Sequence, residues 1–122
     1  MMGWILVVDD DSTCRDSIKK ILQREGHNVE GARDVDSALA ALKNHNFDLM
    51  VCDYRMPGKS GLDLLSELRH QNSDMPVLMV SAFADADTEA AAKRLGAKGL
   101  LRKPFRRQQL VDEADRFLHS GT

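Results

Sequence analysis

Short apolar runs alternate with amphipathic stretches from one end of the chain to the other. "WILVV" (4–8) is rich in β-branched side chains and too short for a buried helix, which predicts a strand. Cys14, Ile18, Ile21 and Leu22 then recur at helical spacing until Gly26 stops the helix. "NVEGA" (28–32) is a weaker strand signal, and Val35, Ala38, Leu39 and Leu42 mark one face of a second helix. "FDLMVCD" (47–53) predicts a third strand, "MPGKSG" (56–61) a turn, and Leu62, Leu65 and Leu68 a third helix. "PVLMVSA" (76–82) predicts a fourth strand, with Pro76 at its start where a missing N–H costs little. Residues 85–96 are alanine-rich and helical as far as Gly96. "KGLLRK" (98–103) predicts a fifth strand, and Leu110, Ala114, Phe117 and Leu118 a last helix.

Five strand–helix units in series require crossovers between parallel strands, and right-handed crossovers bury both faces of the sheet. The near-continuous apolar strands agree. The expected fold is α/β, a doubly wound five-stranded parallel sheet with helices on both faces. At 122 residues the chain suits one domain spanning 1–122, and no linker or low-complexity segment interrupts it.

Composition narrows the function more by exclusion. With 43% hydrophobic and 30% charged residues the chain reads as an ordinary soluble globular protein. A net charge of −2 gives no general argument for nucleic-acid or membrane binding. No apolar run is long enough to cross a bilayer, and "MMGW" lacks the basic start and long apolar stretch of a signal peptide. Cys14 and Cys52 lie in no metal-ligand spacing and read as reduced thiols of a cytosolic protein. His27, His45, His70 and His119 fall at helix ends or in turns with no paired spacing, and are expected at the surface. The four basic residues of "RKPFRR" (102–107) are expected chiefly to cap or solvate the last helix rather than to meet nucleic acid.

Ligands of such sheets bind beyond the carboxyl ends of the strands, near the point where strand order reverses. At those ends stand Asp9–Asp10–Asp11, Ala32–Arg33, Asp53, Ser81–Ala82 and Lys103–Pro104. One rim thus gathers three or four carboxylates, a hydroxyl and an ammonium. Carboxylates are hard oxygen ligands suited to Mg²⁺. No glycine-rich phosphate loop follows the first strand, which argues against P-loop or dinucleotide binding. Asp11 precedes Ser12 and a helix, where N-cap or helix-dipole service is the expected role.

"VVDDDST", "DYRMPGKSGLDLL", "VLMVSA" and "RKPF" together resemble the motifs of response-regulator receiver domains, at the same strand ends and in the same order. The resemblance covers essentially the whole chain and implies a (βα)5 flavodoxin-like fold. It also implies that Asp53 is the phosphoacceptor, fed by a sensor histidine kinase or a histidine phosphotransfer protein with Mg²⁺ (or Mn²⁺) as cofactor. Asp10 and Asp53 would bind the ion directly, Asp9 through a water, and Arg55 by its backbone carbonyl. Ser81, Ala82 and Lys103 would hold the phosphoryl group, and Pro104 would follow a cis peptide bond. The output would be a switch in the face made by the fourth helix, fifth strand and last helix. That face would meet a downstream effector domain or protein, with a phosphorylation-dependent homodimer as a further option.

Such a protein is a cytoplasmic signalling receiver rather than an enzyme. It assists its own phosphorylation and autodephosphorylation and has no direct nucleic-acid or membrane partner. Family members often carry an aromatic residue in the fifth strand before the lysine, whereas this chain has Leu100 at that switch position. Arg55 and Phe83, two positions after Asp53 and Ser81, should border the mouth of the site and govern water access to the acyl phosphate. Two other readings compete. Asp9-x-Asp11-x-Thr13 after a strand is similar to the nucleophile motif of haloacid-dehalogenase-type phosphatases, with Asp9 attacking and Asp11 as general acid. The second is a degenerate receiver that acts only as an interaction module.

Overall fold

In the computed structural model, which describes residues 3–56, 58–82 and 85–119, strands and helices alternate strictly. They are β1 (Trp4–Val8), α1 (Ser12–Arg24), β2 (Asn28–Ala32), α2 (Val35–Asn44), β3 (Leu49–Asp53), α3 (Gly61–His70), β4 (Val77–Ser81), α4 (Ala86–Arg94), β5 (Gly99–Arg102) and α5 (Arg107–His119). The five strands form one sheet in the order β2-β1-β3-β4-β5, and every neighbouring pair is parallel. The chain moves outward from β1 to β2, then returns past β1 to β3, so strand order reverses between β1 and β3.

Strand periodicity explains why the strands read as unbroken apolar runs. Leu6, Val8, Met50, Cys52, Val77 and Met79 point to one face and pack with Val35, Ala38, Leu64, Leu65, Leu68 and Ala92 of α2, α3 and α4. Their neighbours Ile5, Val7, Leu49, Val51, Leu78 and Val80 point to the other face, against Ile18 and Leu22 of α1 and Leu110, Ala114 and Phe117 of α5. Each strand therefore feeds two cores. Burying one such side chain contributes about 1.5–3 kcal/mol, so the central strands dominate the stability of the sheet.

The helices begin on the rim where the strands end, and α1 to α4 each have a side-chain cap. Asp11 caps α1, Asp34 forms a capping box with Ser37 on α2, Ser60 forms one with Asp63 on α3, and Asp85 accepts from the Thr88 N–H of α4. These caps satisfy helix N–H groups that no carbonyl can reach, each typically worth about 1 kcal/mol.

Strand and helix limits are tighter than the sequence suggests. Phe47 and Asp48 precede β3, because the Asp48 carboxylate accepts the Trp4 N–H at 2.8 Å and so stands in for a ladder carbonyl. Pro76 and Ala82 fall just outside β4, Lys98 and Lys103 outside β5, and Asp85 is the cap of α4 rather than part of it. His27 departs further from expectation. Gly26 has φ +95°, and the imidazole that follows it is buried. Its Nδ1 accepts the Gly3 N–H at 3.1 Å, which leaves the ring proton on Nε2, 3.8 Å from the Asp115 carboxylate of α5.

Arg69, on α3, is another tie with no sequence signature. Its guanidinium donates to the carbonyls of Leu95 (2.7 Å), Gly96 (3.0 Å) and Ser73 (2.8 Å). The C-terminal end of α4 is thereby fastened to α3.

Candidate functional site

The "DDD" run divides at the end of β1 into three residues with different surroundings. Asp9 is buried, with 1% of its surface exposed. Its N–H continues the ladder to the Ala32 carbonyl at 3.0 Å, Oδ1 accepts the Asp11 N–H at 2.9 Å, and Oδ2 accepts Lys103 Nζ at 3.2 Å. Asp11 turns back to the helix, its Oδ1 accepting from the N–H groups of Thr13 at 3.0 Å and Cys14 at 3.5 Å. Asp10, between them, is exposed.

Asp53 is the last residue of β3, beside Asp9 in the sheet because β3 neighbours β1. Its Oδ2 accepts Lys103 Nζ at 3.3 Å and its Oδ1 accepts the Arg55 N–H at 3.3 Å. Lys103 follows β5, two strands from β3 and three from β1, and only a long flexible side chain there could reach both carboxylates. Its own N–H donates to the Ser81 carbonyl at 2.9 Å, and the Lys103–Pro104 peptide bond is cis. One ligand oxygen from each of Asp9, Asp10 and Asp53 lies within 4.8 Å of the others.

Three carboxylates against one ammonium leave this rim short of positive charge. Burial raises the Asp53 carboxyl above its usual range and the neighbouring Asp9 charge adds to this, with Lys103 opposing. Burial alone would lower the Lys103 ammonium, but Asp53 and Asp9 outweigh it and hold its pKa above the ordinary value. The lysine is therefore a fixed cation. Replacing it with methionine leaves two largely buried carboxylates facing each other. We expect Lys103→Met to lose about 2 kcal/mol near neutral pH. In that variant Asp53 titrates further above its unfolded value, so its folded state holds the extra proton and the deficit shrinks as pH falls into the carboxylate range. Thermal melts at about pH 7 and about pH 5 measure both effects, and a pH-independent deficit would contradict the electrostatic account.

The remaining rim residues surround this cluster. Ser81, the last residue of β4, is 1% exposed, Ala82 beyond it is exposed, and Leu100 is half-buried in β5. An open cleft of about 430 Å³ adjoins the carboxylates, lined by Asp10, Tyr54, Arg55, Met56 and Ser60. Arg55 lines this cleft, whereas Phe83, expected to border the mouth with it, lies outside the described residues. Burial, then the Asp9 carboxylate, pushes the half-buried Cys14 thiol up to about 11, and burial also raises Cys52. Both stay protonated at neutral pH, which fits unreactive thiols.

The phosphatase reading finds no support here. Both oxygens of Asp9 are already engaged and the side chain is inaccessible, while Asp11 is committed to capping α1. Two further residues shape the site. Gly61 opens α3 so close to β3 that a Cβ there would stand 2.4 Å from the Asp53 carbonyl oxygen. Arg15, one turn into α1, donates from Nη1 to the Asp9 carbonyl at 2.8 Å.

Comparison with known proteins converges on one family. The family model described as "Response regulator receiver domain" matches residues 5–115. The chain is 41% identical over 115 residues to the chemotaxis protein CheY of Pseudomonas aeruginosa, covering 92% of this chain and 93% of that one. It is 37% identical over 109 residues to the transcriptional regulatory protein FixJ of Bradyrhizobium diazoefficiens, covering 89% of this chain but 53% of FixJ. The chain thus spans about half the length of FixJ and almost all of CheY. Among solved structures, the receiver domain of NtrX from Brucella abortus superposes with a TM-score of 0.89 at 39% identity, covering 95% of this chain and 98% of that chain. The Francisella response regulator 1452 receiver domain gives 0.92 at 29% identity, covering 98% and 99%.

Proposed function

This chain belongs to the response regulator receiver domain family, and on that premise we propose that Asp53 is its phosphoacceptor. The function is phosphoryl-accepting signalling, and the observation that carries the assignment of residues is the convergence of Asp9, Asp10, Asp53 and Lys103 on one rim. Asp53 is the accessible partner of the buried pair. Asp9 is sealed, whereas the Asp53 carboxylate retains 11% exposure beside the open cleft.

In the transfer, an Asp53 carboxylate oxygen forms a bond to phosphorus while the phosphorus–nitrogen bond of a phosphohistidine breaks. The released imidazole nitrogen takes a proton from solvent. Both reacting groups are anionic, so positive charge must be supplied where they meet. The donor set fits a hard divalent cation: three carboxylates in reach of one another, with no thiol or imidazole among them. Mg²⁺ (or Mn²⁺) would be held by Asp10, Asp53 and the Arg55 carbonyl, with Asp9 acting through water, and when bound it supplies the missing charge. Lys103 is already aimed at Asp53 and would transfer its N–H donation to a phosphoryl oxygen. The Ser81 hydroxyl and the Ala82 N–H would take the remaining oxygens, drawing the end of β4 toward Asp53. Leu100 would repack as Ser81 moves, altering the face formed by α4, β5 and α5. Arg55 and Phe83 would govern the access of water that ends the signal.

The partners this implies are a sensor histidine kinase or a phosphotransfer protein upstream and an effector downstream. A single domain over 1–122, a cytoplasmic location, no catalysis beyond its own phosphorylation and dephosphorylation, and phosphorylation-dependent pairing complete the proposal. No helix among the described residues is long and apolar enough to cross a membrane. The experiment is incubation with a small acyl phosphate and MgCl₂, read by intact mass. One added phosphoryl group is expected, and chelation with EDTA should abolish it. Unchanged mass with the ion present would contradict the assignment, and so would continuous turnover of the donor without a phosphoprotein.

A further inference from the structure

Arg15 lies on α1, outside the carboxylate cluster, yet it holds the backbone on which the cluster depends. The Asp9 N–H is taken by Ala32, its two carboxylate oxygens accept from Asp11 and Lys103, and its carbonyl accepts Arg15 Nη1 at 2.8 Å. That carbonyl shares a rigid peptide plane with the N–H of Asp10. Asp10 is exposed, so packing does little to orient it. Its direction is inherited from the plane that Arg15 grips.

Gly31 makes the grip geometrically accessible. The Arg15 stem crosses β2 at this residue, and a Cβ at position 31 would stand 3.2 Å from Arg15 Cδ and 3.2 Å from Lys19 Cδ. Strand β2 is a poor place for glycine on propensity grounds. Its presence opposite the Arg15 stem is explained if the stem needs the space.

We propose that Arg15 is a positioning residue for the divalent-cation site, fixing the Asp9–Asp10 peptide plane, and that Gly31 is the gap through which it does so. The inference rests on the reading of Asp9, Asp10 and Asp53 as the Mg²⁺ ligands. It carries a sign that separates it from simple electrostatics. A guanidinium near the site repels a cation, so deleting it by charge alone would tighten Mg²⁺ binding. Deleting a positioning bond loosens binding instead.

The test is calorimetric titration of the unphosphorylated protein with MgCl₂, for the unaltered chain and for Arg15→Met, Arg15→Lys and Gly31→Val. Arg15→Met should raise the Kd about tenfold, equivalent to about 1.4 kcal/mol. Arg15→Lys, which keeps a donor and the charge, should recover part of the loss. Gly31→Val keeps the guanidinium but displaces its stem, and should weaken binding in the same direction although valine suits a strand. Melting temperatures in EDTA should barely move, because no core side chain is altered. An unchanged or lower Kd in Arg15→Met overturns the proposal, as does a loss of affinity that tracks a loss of melting temperature across the variants. Unaltered binding by Gly31→Val overturns the role of Gly31. Failure of the unaltered protein to bind Mg²⁺ overturns the site reading itself, and the inference with it.

Discussion

The Asp53→Asn protein will gain no phosphoryl mass from an acyl phosphate and Mg²⁺ under conditions where the unaltered chain gains one group. An amide oxygen is a poor nucleophile toward phosphorus, and neither Asp9 nor Asp11 can replace it. Asp9 is 1% exposed and doubly bonded, and Asp11 faces its helix. Asp10 is open, so label appearing there would contradict the assignment. The same variant has a signature in stability. Burial, reinforced by Asp9, raises the Asp53 carboxyl above its unfolded value. Between those two values the folded state binds more protons than the unfolded one, so stability falls as pH rises toward the folded pKa. Above it the cost is complete. Asparagine has no proton to lose there, and melting temperatures of Asp53→Asn will decline less between the carboxylate range and neutrality. A parallel decline in both proteins would sink this account.

Gly61→Ala will lower the stability of the protein by about 3 kcal/mol, a cost of forcing atoms into a filled space. The added methyl would lie 2.4 Å from the Asp53 carbonyl oxygen and 3.0 Å from Tyr54 Cα, both backbone, and 2.9 Å from Met79 Cε. The methionine end can swing away, but the strand cannot. Gly61 also donates its N–H to the Tyr54 carbonyl at 2.8 Å, so α3 and the end of β3 are locked at this approach. Relief therefore requires moving the backbone that carries Asp53. Urea titration gives the stability change, and folded Gly61→Ala should bind Mg²⁺ more weakly than the unaltered protein. A denaturation midpoint within error of the unaltered chain would show that β3 and α3 can part cheaply.

Much of this molecule is legible in its sequence because parallel sheets impose few choices. Apolar runs such as "WILVV" and "LMVC" must be covered on both faces, and the helical stretches between them are the only cover available. Once the strands are placed, their carboxyl ends share a rim, and Asp9, Asp53, Ser81 and Lys103 come together without any knowledge of loops. Asp11 is separable from its neighbours because an aspartate before a helix has a capping use of its own.

What escapes the sequence is whatever depends on approach distances. Gly61 reads as one glycine of a turn, and only the close approach of α3 to the Asp53 carbonyl shows that its missing side chain sets the spacing of two elements. Arg15 and Arg69 give no sequence signal, since nothing in a helical period shows that a backbone carbonyl from another segment ends within reach. His27 reads as a turn residue because its burial depends on the angle at Gly26, which sets the chain's direction rather than its composition.

The Arg69 tie has a mechanical consequence for α4. The helix is moored at its far end, where the Leu95 and Gly96 carbonyls are held by a side chain of α3. Its near end, beside Ser81, rests on its own cap at Asp85 and on the ion pair between Glu89 and Arg102. A rod pinned at one end turns about the pin. Displacement along α4 should therefore grow toward the rim, so a surface resting on it would experience a change of tilt rather than a bodily shift.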